Sequence, residues 1–240
     1  MNPPIDVAMV VDTGVDDALA LLLALRSPGL RLRAIACVAG NVEVDQVIAN
    51  TLRVLDVANA GDIPLGRGTA PGPGGRSVHG ADGMADLGLP ASTRHPPRLS
   101  IAEVLDLDEP YTLLSLAPCT DLTTALSPRV AAIAAVAGFN RDHDPVAFDA
   151  VVGSGPPAAV YERSVWEQAR VSRDDAEQLA HSTDRAASLA GRLLHHQVQR
   201  GGGASGSIGD AVAVAALLMG SVGDPDPGAW ASSLLAAFAS

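Results

Sequence analysis

The chain has 240 residues, of which 16 are basic and 27 acidic, and its formal net charge at pH 7 is −11. This acidic balance disfavours a nucleic-acid backbone or an anionic membrane as the main partner. All the basic residues are Arg, so a mechanism that needs a catalytic Lys is excluded. The length suits one globular domain over residues 1–240.

Cellular location and cysteine state can also be predicted from the sequence. The first residues lack a basic region and an apolar signal core, and no apolar run is long enough to span a bilayer. Cys37 and Cys119 lie in apolar, strand-like segments, which favours buried thiols over a disulfide. We therefore expect a cytoplasmic protein.

The first third of the chain alternates strands and helices. Apolar runs and helical spacing predict a strand at 7–11, a helix at 16–25, a strand at 30–38, a helix at 44–60 and a short strand at 63–66. Alternation of this kind predicts an α/β fold, an open and mostly parallel sheet with helices on both faces, of the Rossmann-like type.

The remaining segments continue this pattern after a long irregular loop. Residues 66–97 are rich in Gly, Pro and Arg, and loops of this length are usually functional. The later predicted elements are strands at 112–116, 130–136 and 158–161, and helices ending at 126 and over 146–152, 174–181, 186–199, 210–219 and 230–240. A Gly-rich hinge is predicted over 201–206.

Polar residues follow the predicted strands and would gather at one rim of the sheet. They are Asp12, Asn41, Thr120 and Asn140, and Asp210 joins them at a helix start. Ligands of parallel sheets bind beyond the carboxyl ends of the strands. A set of oxygen donors suits Ca²⁺ or Mg²⁺ better than Zn²⁺, because the sequence has no His or Cys cluster at ligand spacing.

Several motifs, in order along the chain, make the sequence similar to the inosine-uridine preferring nucleoside hydrolase family. The first is Asp12-Thr13-Gly14-Val15-Asp16-Asp17, which resembles the amino-terminal aspartate motif of that family. Later matches are Gly40-Asn41, His79-Gly80, Pro118-Cys119-Thr120-Asp121, Phe139-Asn140 with Asp144-Pro145, and Gly209-Asp210. One such motif is weak evidence, but the ordered set spans most of the chain.

The resemblance implies the nucleoside hydrolase fold and Ca²⁺-dependent hydrolysis of the N-glycosidic bond of a ribonucleoside. It implies Ca²⁺ ligands at Asp12, Asp17, the backbone carbonyl of Thr120 and Asp210, sugar contacts at Asp16, Asn41 and Asn140, and Asp12 as the base that activates water. His79 is a candidate substrate contact or acid, although a solvated loop His is an equal alternative. Homo-oligomers, dimers or tetramers, are also implied by the family.

Three positions depart from the family pattern, and the first is Val10, which stands where the family has its first aspartate. Gly209 stands where many members have a His that helps the base to leave, and Gly138 stands where the family has a Glu at the sugar 5′ end. A wider 5′ end would leave Arg141 as an anion clamp for a 5′ phosphate or another substituent.

Alternatives to this enzyme remain open to different degrees. A phosphatase of the haloacid dehalogenase type would need a second Asp at Gly14 and a downstream Lys, and the chain has neither. The main rival is a catalytically impaired relative that binds a nucleoside or sugar without turnover, and a glycosidase for an unusual nucleoside is a third possibility. At Asp16 and Asp17 a simple helix-start role competes with chemistry, and Trp166 and Trp230 are interpreted as packing residues.

Overall fold

A seven-stranded, entirely parallel sheet forms the centre of the molecule. The structure, a computed structural model, describes residues 3–72, 77–221 and 224–239. The sheet strands are β1 (Ile5–Val11), β2 (Leu30–Cys37), β3 (Leu65–Arg67), β4 (Leu99–Ser100), β5 (Tyr111–Ser115), β6 (Val130–Val136) and β7 (Ala158–Tyr161). Their spatial order is β4-β3-β2-β1-β5-β6-β7, so the chain changes direction across the sheet between β1 and β5. That boundary is the topological switch point, where parallel sheets bind ligands.

Helices and one small antiparallel ribbon surround the sheet. The helices are α1 (Val15–Arg26), α2 (Val44–Val57), α3 (Ile101–Leu105), α4 (Leu122–Ala125), α5 (Phe139–His143), α6 (Pro145–Val152), α7 (Arg163–Trp166), α8 (Arg173–Ala180), α9 (Arg185–Arg200), α10 (Ala211–Met219) and α11 (Pro227–Phe238). The ribbon pairs β8 (Arg170–Ser172) with β9 (Ser205–Ser207).

The sheet separates two apolar cores. Val7 and Met9 of β1 pack in the core that contains α1, α9 and α10, whereas Ala8 and Val10 pack in the core that contains α3 and α6. Successive side chains of a strand point to opposite faces, so a continuous apolar run such as β1 can fill both cores. The predicted open parallel sheet with helices on both faces is confirmed.

Short elements account for most differences from the sequence prediction. The strands at 130–136 and 158–161 have the predicted bounds. The hinge predicted over 201–206 was wrong at its end, because β9 begins at Ser205. This strand pairs with β8, and the hydrophobic periodicity of the sequence indicated neither strand. Helix α11 begins at Pro227, three residues before its predicted start, because Asp226 caps it by accepting the N–H of Ala229 at 3.0 Å.

The predictions for the cysteines and the long loop can also be compared with the structure. Cys37 and Cys119 are both buried thiols, as predicted, and burial raises the pKa of Cys37 to about 12. Part of the predicted loop, residues 73–76, lies outside the described residues. Across the described ranges, no helix combines the length and apolar character that crossing a bilayer requires.

Candidate active site

Four acidic side chains meet at the carboxyl end of β1. Asp12 directly follows β1, Asp16 and Asp17 are in the first turn of α1, and Asp210 precedes α10. Asp12, Asp17 and Asp210 are buried. One carboxylate oxygen each from Asp16, Asp17 and Asp210 lies within 4.8 Å of the others. Asp12 lies beside this group, because its backbone N–H donates to Asp17 Oδ1 at 3.3 Å. We refer to these four residues as the acidic cluster.

Backbone amides hold the acidic cluster in place. Asp17 accepts the N–H of Gly14 at 2.9 Å and the N–H of Asp12 at 3.3 Å, so it ties the end of β1 to the start of α1. Asp12 Oδ2 accepts the backbone N–H of Asn41 at 2.7 Å. Asp17 therefore has the helix-start role weighed from the sequence and also faces the other carboxylates.

The turn after β2 can approach this close only because of a glycine. A Cβ atom at position 40 would lie only 1.9 Å from Asp12 Oδ2, so any residue with a side chain would clash with Asp12. Gly40 thus lets the backbone of Asn41 reach the Asp12 carboxylate.

Burial and mutual repulsion disfavour the ionised forms of these acids. Burial raises the pKa of Asp12 to about 7, against the lowering effect of its hydrogen bond with Asp17. Burial first, and then the neighbouring carboxylates, raise the pKa values of Asp17 and Asp210 well above the ordinary value for Asp. A bound cation would oppose both effects, because it supplies positive charge directly beside the carboxylates.

The donor set fits a hard divalent cation. All the clustered side chains offer carboxylate oxygens, which Ca²⁺ and Mg²⁺ prefer. Asp16 Oδ1 is buried and has no hydrogen-bond partner among the described residues. An oxygen left unpaired in this position is typical of a site built for a ligand rather than for internal hydrogen bonding.

A cavity of about 620 Å³ opens above the acidic cluster. Its volume lies within the usual range for sites that bind small molecules. Predicted site residues line this central cavity, namely Asp12, Asp16, Asn41, His79, Asn140 and Asp210. The structure therefore brings together six residues from five separate segments of the chain.

His79 faces the acidic cluster rather than solvent. The ring is buried, and its Nε2 lies 3.5 Å from Asp16 Oδ1. Burial lowers the pKa of His79, while the Asp16 carboxylate opposes this shift. This location excludes the solvated-loop alternative and leaves the predicted role in substrate contact or proton transfer as a prediction.

Asn140 connects the ends of two strands. Its side-chain amide donates to the carbonyl of Leu116 at 2.8 Å and to the carbonyl of Val136 at 3.1 Å. Leu116, directly after β5, lines the central cavity and was not singled out from the sequence. A backbone carbonyl has no sequence signature, but its place at the end of a strand beside the switch point could have indicated it.

Thr120 and Arg141 lie outside the lining of the central cavity. The carbonyl of Thr120 accepts the Thr123 hydroxyl at 2.8 Å, and its own hydroxyl donates to Asp144 at 2.9 Å. Arg141 forms ion pairs with Asp149 at 2.8 Å and with Glu162 at 3.4 Å. The metal role of Thr120 and the anion role of Arg141 stay predictions.

The parallel sheet and the carboxylate-lined cavity at its switch point together are typical of an α/β protein that binds a small molecule. The family model described as inosine-uridine preferring nucleoside hydrolase matches residues 7–233. The chain therefore belongs to that family, whose members are N-ribohydrolases of the glycosidase class.

Two curated relatives are each 30% identical to this chain over the aligned residues. The pyrimidine-specific ribonucleoside hydrolase RihA of Shewanella sp. strain MR-7 is 30% identical, over 86% of this chain and 76% of the relative. Uridine nucleosidase 1 of Arabidopsis thaliana is 30% identical, over 75% of this chain and 63% of its own length.

Solved structures of similar proteins share the fold. A plant nucleoside hydrolase, PpNRh1, has a TM-score of 0.83 at 24% identity, with 91% of this chain and 80% of that chain covered. An inosine-guanosine nucleoside hydrolase has a TM-score of 0.76 at 26% identity, with 88% and 78% covered.

Proposed function

We propose that this protein hydrolyses the N-glycosidic bond of ribonucleosides with a bound Ca²⁺ ion and releases ribose and the nucleobase. The observation that carries the proposal is the acidic cluster, buried at the switch point and open to a cavity of about 620 Å³. Such a cluster is costly to fold without a cation, which argues that binding chemistry maintains it.

Asp12, Asp17 and Asp210 would hold the ion, and a backbone carbonyl would complete the protein's ligands. Thr120 is the carbonyl that the motif predicts, while Leu116 is the one that lines the central cavity. When bound, Ca²⁺ supplies positive charge that orients the ribose hydroxyls and lowers the pKa of a water molecule.

Asp12 is the proposed general base. Asn41 N–H occupies Oδ2 of the Asp12 carboxylate and leaves acceptor capacity on the remaining lone pairs. Asp12 takes a proton from the water as the water oxygen bonds to the anomeric carbon. The bond from that carbon to the nucleobase breaks, and the nucleobase leaves with the electron pair and takes up a proton. The neighbouring carboxylates stabilise the positive charge that develops on the ribosyl group.

Asp16 and Asn41 are the proposed sugar contacts. Both line the central cavity next to Asp12, and Asp16 Oδ1 accepts no hydrogen bond within the described ranges, although His79 Nε2 lies 3.5 Å from it. A ribose hydroxyl would donate to this oxygen. Asn140, with its amide group engaged by two carbonyls, retains its own oxygen as an acceptor for the sugar.

Pyrimidine ribonucleosides are the proposed first substrates. The two curated relatives described above are named for pyrimidine ribonucleosides and for uridine. A panel of uridine, cytidine, inosine and guanosine, incubated with purified protein and Ca²⁺, should yield free base most rapidly from uridine or cytidine. Chelation of the metal should stop the release, and absence of free base from every nucleoside at saturating Ca²⁺ would refute the enzymatic proposal.

A second function, nucleoside or sugar binding without turnover, is favoured by two positions. Gly209 offers no side chain to protonate a leaving base, and Gly138 offers none to bind the sugar. Calorimetric titration of ribose and uridine distinguishes the two functions, because binding without base release would favour the second. Free base in the same samples would favour the first.

A further inference from the structure

The central cavity is lined by side chains of both charges. The acidic cluster contributes from the β1–α1 turn and the start of α10. The basic set comes from α7, β8 and the end of α9, and it consists of Arg163, Arg170 and Arg200. Five acidic side chains line the cavity as a whole, so the three guanidinium groups make one wall basic in a protein of net charge −11.

Arg163 occupies the space beside Gly138. A Cβ atom at position 138 would lie 3.5 Å from Arg163 Nε. The guanidinium stacks over the Phe139 ring, 4.3 Å from the ring centroid, and stacking leaves the in-plane N–H groups able to donate. Its nearest carboxylate, on Asp142, is 3.6 Å away and has a side chain that is 74% exposed, so solvent screens this pair.

The hydrogen-bond partner of the Arg200 side chain is neutral. Arg200 is the last residue of α9 and donates to Gln197 Oε1 at 3.1 Å, which is a neutral acceptor. Gln197 is itself buried and lines the central cavity. The hydrogen bond therefore orients the guanidinium without neutralising it.

Arg170 has a structural role within the same wall. It donates to the hydroxyl of Ser205 at 2.8 Å and to the carbonyl of Gly201 at 3.5 Å, so it holds β9 and the preceding turn. The acids on this side of the cavity are Asp142 and Glu167, both exposed. Three cations against two exposed acids leave this wall basic.

We infer that Arg163 and Arg200 form an anion-binding subsite, and that the preferred substrates carry a phosphate or carboxylate group outside the ribose ring. The inference rests on the proposed function, because the acidic cluster is taken to hold the ribose. Guanidinium groups bind both kinds of oxyanion through paired N–H donors. Such an oxyanion has two sources in a nucleoside-like substrate, a 5′ phosphate and a carboxylate on the nucleobase, and the experiment below distinguishes them.

Arg163 is better placed for this role than Arg141. Arg141 pairs with two carboxylates, Asp149 and Glu162, and lies outside the lining of the central cavity. Arg163 lines the cavity and has a single, longer contact with an exposed acid.

Substrate pairs that differ only in the anionic group test the subsite. Uridine is compared with uridine 5′-monophosphate, and uridine with orotidine, which adds a carboxylate to the base. We expect one of the two anionic substrates to have the higher kcat/KM. Arg163→Gln and Arg200→Gln should each lower the ratio of kcat/KM for that anionic substrate over uridine by about 10- to 100-fold.

Arg129→Gln is the matched control. Arg129 is an exposed arginine just before β6, at the amino end of the strands, whereas the cavity lies at their carboxyl ends. Its loss therefore removes one positive charge without changing the central cavity. This variant should leave the ratio within about twofold, since a remote surface charge is screened by salt. Thermal unfolding of all three variants confirms that each is folded.

A binding measurement separates the subsite from the catalytic proposal. Ribose 5-phosphate and ribose, titrated into the Ca²⁺-loaded protein, report the 5′ arm without turnover, and orotate and uracil report the base arm. Tighter binding of the anionic partner in either arm, weakened by Arg163→Gln or Arg200→Gln, supports the subsite even where no nucleoside is hydrolysed. The subsite would be refuted if the protein hydrolyses neutral nucleosides but prefers neither anionic group, and neither variant changes this result. The proposed function would still stand.

Discussion

Gly209 packs directly against Asp16. A Cβ atom at position 209 would lie 2.4 Å from Asp16 Cβ and 2.8 Å from its Oδ2. Gly209 also has a backbone φ of +53°, in the left-handed region that favours glycine. A histidine at this position therefore cannot be accommodated while Asp16 keeps its place in the acidic cluster.

Substitution of Gly209 should destabilise the protein more than its backbone angle alone explains. Gly220 has a similar φ of +64° but open space around its Cβ position, so Gly220→Ala isolates the backbone effect. We expect Gly220→Ala to lower the free energy of unfolding by about 1 kcal/mol, and Gly209→Ala to lower it by at least about 2 kcal/mol. Urea unfolding of the metal-free proteins measures both values, and equal losses would contradict the close contact with Asp16.

Asp12→Asn should abolish most of the base release. The substitution keeps the size of the side chain but removes its charge and its ability to accept the proton. General-base catalysis is worth about 10²- to 10⁴-fold in rate, and we expect kcat to fall by that amount. The initial rate of base release is measured at Ca²⁺ concentrations that saturate each variant.

The control for Asp12 is Asp106→Asn. Asp106 is exposed and lies outside the lining of the central cavity, so its variant should retain the kcat of the unsubstituted protein. A rate within threefold of that value for Asp12→Asn would mean that another group activates the water.

Ca²⁺ should stabilise the folded protein. Cation binding to the folded state alone adds about 2.7 kcal/mol when the ion is at 100 times its dissociation constant. For a chain of this size the melting temperature should then rise by roughly 5 to 10 °C. Differential scanning calorimetry with Ca²⁺ and then with excess chelator measures the shift and its reversal.

Asp210→Asn tests whether this shift comes from the acidic cluster. The variant removes one buried carboxylate, and we expect it to lose most of the Ca²⁺-dependent rise in melting temperature. Asp106→Asn should retain the rise. A full shift in Asp210→Asn would place the ion elsewhere.

The Asp184 carboxylate should make stability depend on pH. It accepts the backbone N–H of Ala187 at 2.7 Å, which caps α9, and pairs with Arg26 at 3.0 Å. The Ala187 hydrogen bond first, and then Arg26, hold the pKa of Asp184 below its usual value. A lowered pKa in the folded state contributes stability above the pKa of the unfolded chain, and this contribution is lost as the pH falls through the lower, folded value.

Asp184→Ala should therefore cost about 1 kcal/mol at pH 7, mainly through the lost cap, because solvent screens the ion pair. The difference from the original protein should shrink as the pH falls below about 4, the ordinary pKa of Asp in the unfolded chain, and should be lost once the pH passes the lower pKa of the folded state. Asp184→Asn keeps a capping oxygen and should lose much less. A constant difference between pH 7 and pH 3 in urea unfolding would contradict the assignment.

The sequence was sufficient for the fold and for six of the residues that line the central cavity. Strand and helix patterns depend on residues close together in the chain, so the β1–α1 turn and the alternation that follows it could be predicted from periodicity. The ordered motifs then indicated six residues that line the central cavity, from Asp12 to Asp210. The roles assigned to them, the oligomeric state and the cytoplasmic location stay predictions.

Only the tertiary structure decided which charges meet. Arg141 and Arg163 look equivalent in the sequence, yet one is held by two carboxylates outside the cavity and the other lines it. The carbonyl of Leu116 and the pairing of β8 with β9 likewise have no local signature. Ion pairs, backbone acceptors and short ribbons depend on contacts between distant segments, whereas periodicity and helix caps depend on neighbours along the chain.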